Sequence, residues 1–130
     1  MSIWFILPAM LFMHVLDDYV LQAPCLCNLK QKSFWEKNAP DKLYRFDYIV
    51  ALTMHALSWS FLVMLPIAAV LNFNVNASFL IVLLINTIFH ALVDDLKANK
   101  KLINLWADQF AHLVQITLIL AFYYHGGFVC

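Results

Sequence analysis

The stretch FLIVLLINTIFHALVDDLK, residues 79–97, decides the reading of this chain. It contains no Gly or Pro and is apolar along most of its length. It is close to the ~20 residues that a helix needs to cross a bilayer. Yet it carries His90 and Asp94, four residues apart and therefore on one helical face. A helix of this kind must bury its ionisable stripe against something other than lipid.

Three more apolar runs accompany it. Together they predict helices over about 2–22, 47–71, 79–97 and 104–124 of the 130 residues. The whole chain is 64% hydrophobic and 12% charged, where soluble domains are nearer half and a quarter. A soluble helical core would need broad polar faces, which these runs lack. The expectation is one all-α domain over 1–130, an integral membrane four-helix bundle.

The charges supply an orientation. Lys30, Lys32, Lys37, Lys42 and Arg45 fall between the first and second runs, and Lys97, Lys100 and Lys101 between the third and fourth. The positive-inside rule then places both basic connections in the cytoplasm and both termini outside, in a multi-pass protein of the inner (plasma) membrane. The N-terminus lacks a basic n-region, so its apolar run reads as a retained helix. Residues 23–46 read as a cytoplasmic interfacial segment with Phe34, Trp35, Tyr44 and Phe46 as anchors. Ser33 to Glu36 reads as a capping box opening a short helix there. Zero formal net charge gives no reason to expect nucleic acid. Cys25 and Cys27 are too close for an easy disulfide, and with Cys130 they read as reduced thiols.

The first run contains His14 and Asp18, then Gln22; the third His90 and Asp94, then Lys97; the fourth Asp108, Gln109 and His112; the second His55. The first and third run from outside to inside and read His then Asp. The fourth runs back and reads Asp then His. That reversal is what one layered site requires. Counted from the cytoplasmic ends, the carboxylates lie about one turn deep and the imidazoles about two, near 6 and 12 Å. Each ionisable group in a bilayer costs roughly 2.5–3.5 kcal/mol on insertion scales, so such groups must satisfy one another or a cation. Imidazole nitrogen and carboxylate oxygen are ligands for zinc first, and for manganese or iron.

His14, Asp18, His55, His90, Asp94, Asp108 and His112 are therefore the candidate metal ligands, with Gln22 and Gln109 as supporting hydrogen-bonding groups. A metal-free hydrogen-bonded His–Asp network is the alternative. Asp17 and Asp95 fall one residue off the shared face and read as interfacial or supporting. Asp47 sits at the cytoplasmic rim and His125 reads as a bystander. Trp4, Trp59 and Trp106 read as interface or packing residues, and Gln115 as an interhelical hydrogen-bond partner with Gln109.

In this order, H-x-x-x-D-x-x-x-Q (His14, Asp18, Gln22), His55, H-x-x-x-D-x-x-K (His90, Asp94, Lys97) and D-Q-x-x-H (Asp108, Gln109, His112) resemble the pattern of a domain-of-unknown-function family. Its members are small four-helix inner-membrane proteins of prokaryotes and phages. The resemblance covers nearly the whole chain, and the family looks distantly like membrane-bound metal-dependent hydrolases. The doubled acids Asp17-Asp18 and Asp94-Asp95 depart from the pattern, and the four-residue spacing favours Asp18 and Asp94 as the inward pair.

The function expected is metal-dependent hydrolysis of a lipid head group or lipid phosphate ester at the cytoplasmic face. One of Asp18, Asp94 or Asp108 would be the general base, and Lys97 would steady developing charge. The partners are membrane lipid and the divalent metal, with self-association into a homo-oligomer left open. Two other classes compete: a metal or proton transporter, and a non-catalytic interaction protein clipped together by its metal.

Overall fold

A computed structural model describes residues 3–22 and 24–128. Ser2 and Ala23, read as the first residues of the first helix and of the interfacial segment, and Cys130 lie outside the described residues. All regular structure among the described residues is helical. Helix α1 spans Ile3–Val15 and continues as a π-helical stretch, Leu16–Leu21. Two short helices follow, α2 (Pro24–Leu29) and α3 (Lys32–Asn38), then a 3₁₀ turn at Lys42–Tyr44. The long helices α4 (Asp47–Val70), α5 (Ala77–Ala98) and α6 (Leu105–Tyr124) complete the chain. Four helices, counting α1 with its π extension, are long and apolar enough to cross a membrane.

Local chemistry explains the boundaries. Asn76 accepts a hydrogen bond from the Phe79 N–H and starts α5, and Asn104 does the same with the Ala107 N–H to start α6. Asn72 and Phe73, with φ of 52° and 60°, turn the chain between α4 and α5. Two expectations need correction. The capping box at Ser33–Glu36 does not form: α3 is capped by Gln31 without a side-chain bond, and Ser33 lies inside the helix. Glu36 instead pairs with Lys32 one turn earlier, at 3.5 Å. The first long apolar helix is also not uniformly α-helical, and its π stretch turns both Asp17 and Asp18 toward His55.

Helix α4 is central, packing on α1 and α5, while α6 closes against α5 and α1. The packing is inside-out by soluble standards. Trp4, Phe12, Phe61, Leu84, Ile88, Phe110 and Leu118 are among many large apolar side chains exposed outward. His14, Asp17, His55, His90, Asp94, Asp108 and His112 are buried. Away from them, Met10, Val63, Met64, Ile67, Phe79, Ile116 and Phe128 form an apolar plug.

The two basic connections meet at one end of the bundle. Asn99 accepts from the Lys32 main-chain N–H at 2.7 Å and donates to the Lys30 carbonyl at 3.1 Å. The segment between α1 and α4 is thereby tied to the end of α5.

Candidate metal centre

The four long apolar helices each deliver one imidazole to the same interior region. His90 of α5 stacks on His112 of α6, with ring centroids 4.3 Å apart, and lies 5.2 Å from His55 of α4. His14 of α1 lies 5.6 Å from His112. Trp59 covers the group from the apolar side, stacking on His90 at 4.2 Å. Trp59 follows His55 by one helical turn, so the same α4 stripe supplies both.

The carboxylates converge from the basic end. Asp94 Oδ1 lies 3.8 Å from both His90 Nε2 and His112 Nε2. Asp94 Oδ2 lies 3.5 Å from His55 Nε2, and Asp18 Oδ1 is also 3.5 Å from that nitrogen. Asp108 Oδ1 lies 3.5 Å from His112 Nε2. Two groups have ligand atoms mutually within 4.8 Å: Asp18, His55 and His90, and His90, Asp94 and His112. His90 belongs to both.

Several buried atoms have no hydrogen-bond partner among the described residues: both ring nitrogens of His90, His112 Nε2, Asp108 Oδ1 and Asp17 Oδ2. Leaving such groups unsatisfied costs roughly 1–3 kcal/mol each, and more if charged. A nitrogen- and oxygen-rich pocket of this kind suits a borderline divalent cation. The residues present therefore fit a metal ion.

His14 is positioned differently. Its Nδ1 accepts from the Trp59 indole at 2.8 Å, and its Nε2 meets Gln109 Oε1 at 3.1 Å. Both nitrogens are engaged, and His14 stands outside both groups of potential ligands. Asp108 also stands outside them, bonded to Lys97 Nζ at 2.6 Å and to Gln109 Nε2 at 3.1 Å through Oδ2. Gln109 thus links His14 to Asp108. With its amide turned to suit its neighbours, Gln22 donates to the Asp18 carbonyl at 3.1 Å and accepts from Lys30 Nζ.

The structure adds residues that the spacing argument overlooked. Lys30 is only 7% exposed and bonds Asp94 Oδ2 at 2.6 Å. It lies in the connection, where no helical periodicity marked it. Of the two places expected for Asp17 the structure gives the supporting one: it is buried, accepts from Ser58 Oγ at 2.7 Å and faces His55 Nδ1 at 3.3 Å. The wider π turn brings both acids of the doublet to opposite nitrogens of His55. Asp95, in contrast, turns away to Asn99 and Lys100, at 2.8 and 3.3 Å. Trp59 is fully buried, while Trp4 and Trp106 are exposed. His125 caps the end of α6, far along the chain from the cluster.

A cavity of about 190 Å³ opens beside the cluster, lined by Asp18, Gln22, Lys30, His55, Asp94 and Lys97 among others. Two ammonium groups and two carboxylates thus border the approach to the imidazoles.

The profile of a family described as "Protein of unknown function (DUF3307)" matches residues 6–127. No curated protein and no solved structure matches the chain.

Proposed function

We propose, for a chain that belongs to the DUF3307 family of unknown function, a multi-pass inner-membrane protein that binds one divalent cation and hydrolyses a lipid head group or lipid phosphate ester. Zinc suits the donor set best, with manganese or iron as alternatives. The basic connections face the cytoplasm in this reading, and so does the cavity beside the cluster. The apolar outward surface supports membrane insertion, since a water-exposed patch of this extent would drive aggregation.

The observation that carries the metal is the buried group His90, Asp94 and His112, in which both His90 nitrogens and His112 Nε2 have no hydrogen-bond partner among the described residues. Charge balance argues the same way. Four carboxylates (Asp17, Asp18, Asp94, Asp108) stand near two ammonium groups (Lys30, Lys97). With neutral imidazoles, the interior lacks two positive charges, and one divalent ion supplies them.

His90, Asp94 and His112 would hold the ion. When bound, it supplies electrostatic stabilisation and an acidified water. Asp18 borders the cavity outside that group of three and is placed to take the proton of an attacking water. Asp17, itself held by Ser58, orients His55. Lys97 and Lys30 border the same cavity and offset the charge that develops on a scissile ester oxygen. The apolar plug of Met10, Val63, Met64 and Ile67 closes the bundle beyond the imidazoles, which argues against a transport path.

The test is metal content and lipid hydrolysis of the purified protein in lipid nanodiscs. One equivalent of metal, with lipid phosphate or head-group release that is lost in His90→Ala, supports the proposal. Bound metal without hydrolysis leaves a structural clip, and absence of metal under zinc, manganese and iron supplementation overturns the reading.

A further inference from the structure

One turn from the imidazoles, on the side of the apolar plug, lies a buried polar tier: Ser60 of α4, Asn86 of α5 and Gln115 of α6. Gln115 Nε2 donates to the Asn86 main-chain carbonyl at 3.3 Å and to Asn86 Oδ1 at 2.8 Å. Asn86 Nδ2 donates in turn to Ser60 Oγ at 3.2 Å. A main-chain carbonyl only accepts, so the Gln115 amide has one orientation: its NH₂ faces Asn86 and its oxygen faces His112.

That orientation fixes the proton on His112. Gln115 Oε1 lies 3.1 Å from His112 Nδ1 and can only accept. A neutral His112 must then carry its proton on Nδ1. Its Nε2 is left with a bare lone pair, buried and unpartnered, aimed at Asp94 Oδ1 and Asp108 Oδ1, at 3.8 and 3.5 Å. A lone pair facing two carboxylate oxygens is repulsive unless a proton or a metal cation lies among them.

His14 is the built-in contrast. The Trp59 indole only donates, so His14 Nδ1 must accept, and its proton sits on Nε2, given to Gln109. The two imidazoles are thus held in opposite tautomers by their neighbours.

We propose that Gln115, braced by Asn86 and Ser60, is a positioning residue that commits His112 to bind a divalent metal through Nε2. The inference rests on the metal reading above and assigns the selection of the ligand nitrogen to a residue that does not itself touch the ion. A supporting hydrogen bond to a ligating imidazole is worth about 10–100-fold in metal affinity.

The experiment uses the full chain in nanodiscs, ¹⁵N-labelled at histidine, as wild type, Gln115→Met and Gln115→Glu. Tautomers are read by NMR in metal-free protein, from about pH 8 upward until His112 gives the spectrum of a neutral imidazole, and zinc affinity by competition with a chelator. Wild type is expected to hold His112 as the Nδ1–H form. Gln115→Met is expected to mix tautomers and lose about 10-fold or more in zinc affinity. Gln115→Glu keeps an acceptor for Nδ1 but loses both donations to Asn86, so it is read by tautomer alone and is expected to keep His112 protonated on Nδ1. An Nε2–H tautomer in wild type, or wild-type tautomer and affinity in Gln115→Met, overturns the proposal. Should Gln115→Met fail to fold, Gln115→Glu decides alone, and a His112 without a proton on Nδ1 there overturns it. A wild type that binds no zinc sinks the metal reading instead, while the metal-free spectra still judge Gln115.

Discussion

The Trp59 indole donates its N–H to Nδ1 of His14 at 2.8 Å while its ring lies against His90. One side chain therefore closes the apolar side of the cluster and satisfies the imidazole that lies outside both potential ligand groups. Trp59→Phe keeps a ring in place but leaves His14 Nδ1 buried without a donor. A loss of about 1–3 kcal/mol in stability is expected, with bound metal retained. Denaturation in detergent together with metal analysis checks this, and metal loss at unchanged stability would contradict it.

Lys30 and Asp94 form a buried ion pair, and removing one partner of such a pair costs about 3–5 kcal/mol. Lys30→Met leaves Asp94 uncompensated. The metal-free variant is expected to melt well below wild type and to recover more than wild type on adding zinc. Equal zinc-induced shifts in the two proteins would mean that Asp94 and the ion do not interact.

The doubled acids separate by role. Asp17→Ala removes the group facing His55 Nδ1 and strands the Ser58 hydroxyl, so stability measured by denaturation in detergent should fall by about 1–3 kcal/mol. Asp95→Ala breaks surface contacts to Asn99 and Lys100 and should change stability by less than about 1 kcal/mol. Matched losses of stability in the two variants would refute the placement of Asp17 in the buried cluster.

Orientation is open to labelling. Cys25 and Cys27 are exposed on α2, at the end of the bundle that carries the basic connections. In Cys130→Ser protein, a membrane-impermeant maleimide should react with inverted inner-membrane vesicles and spare intact spheroplasts. The opposite pattern would place the cavity outside the cell.

Much of this arrangement was legible because polar residues on otherwise apolar helices stand out. The stripe on α5 runs Asn86, His90, Asp94 at four-residue intervals, and the last two members sufficed to find it. Asn86 was passed over because a single amide in an apolar run carries no charge to explain. Asp17 is left between an interfacial and a supporting place by a constant 3.6-residue turn, because the helix is wider across Leu16–Leu21. Lys30 was counted only as a topogenic charge, since nothing in a loop's spacing tells that it folds back onto Asp94. The capping box misled because its residues fit the motif while the chain enters α3 two residues earlier, at Gln31.

The pairings around the cluster also sort by chain order. His14 with Asp18, and His55 with Asp17 and Asp18, lie within the first half of the chain. His90 with Asp94, His112 with Asp108, Lys97 with Asp108, and Gln115 with Asn86 lie within the second. In the proposed inner-membrane setting, each hairpin can thus enter the bilayer during synthesis with most of its own ionisable groups already matched. What remains for the docking of the two halves is a short set of contacts, chiefly Lys30 and His55 with Asp94, His14 with Gln109, and Ser60 with Asn86. Biogenesis and recognition between the halves then draw on the same polar residues, so a substitution that empties the interior of charge would ease insertion while erasing the address by which one hairpin finds the other.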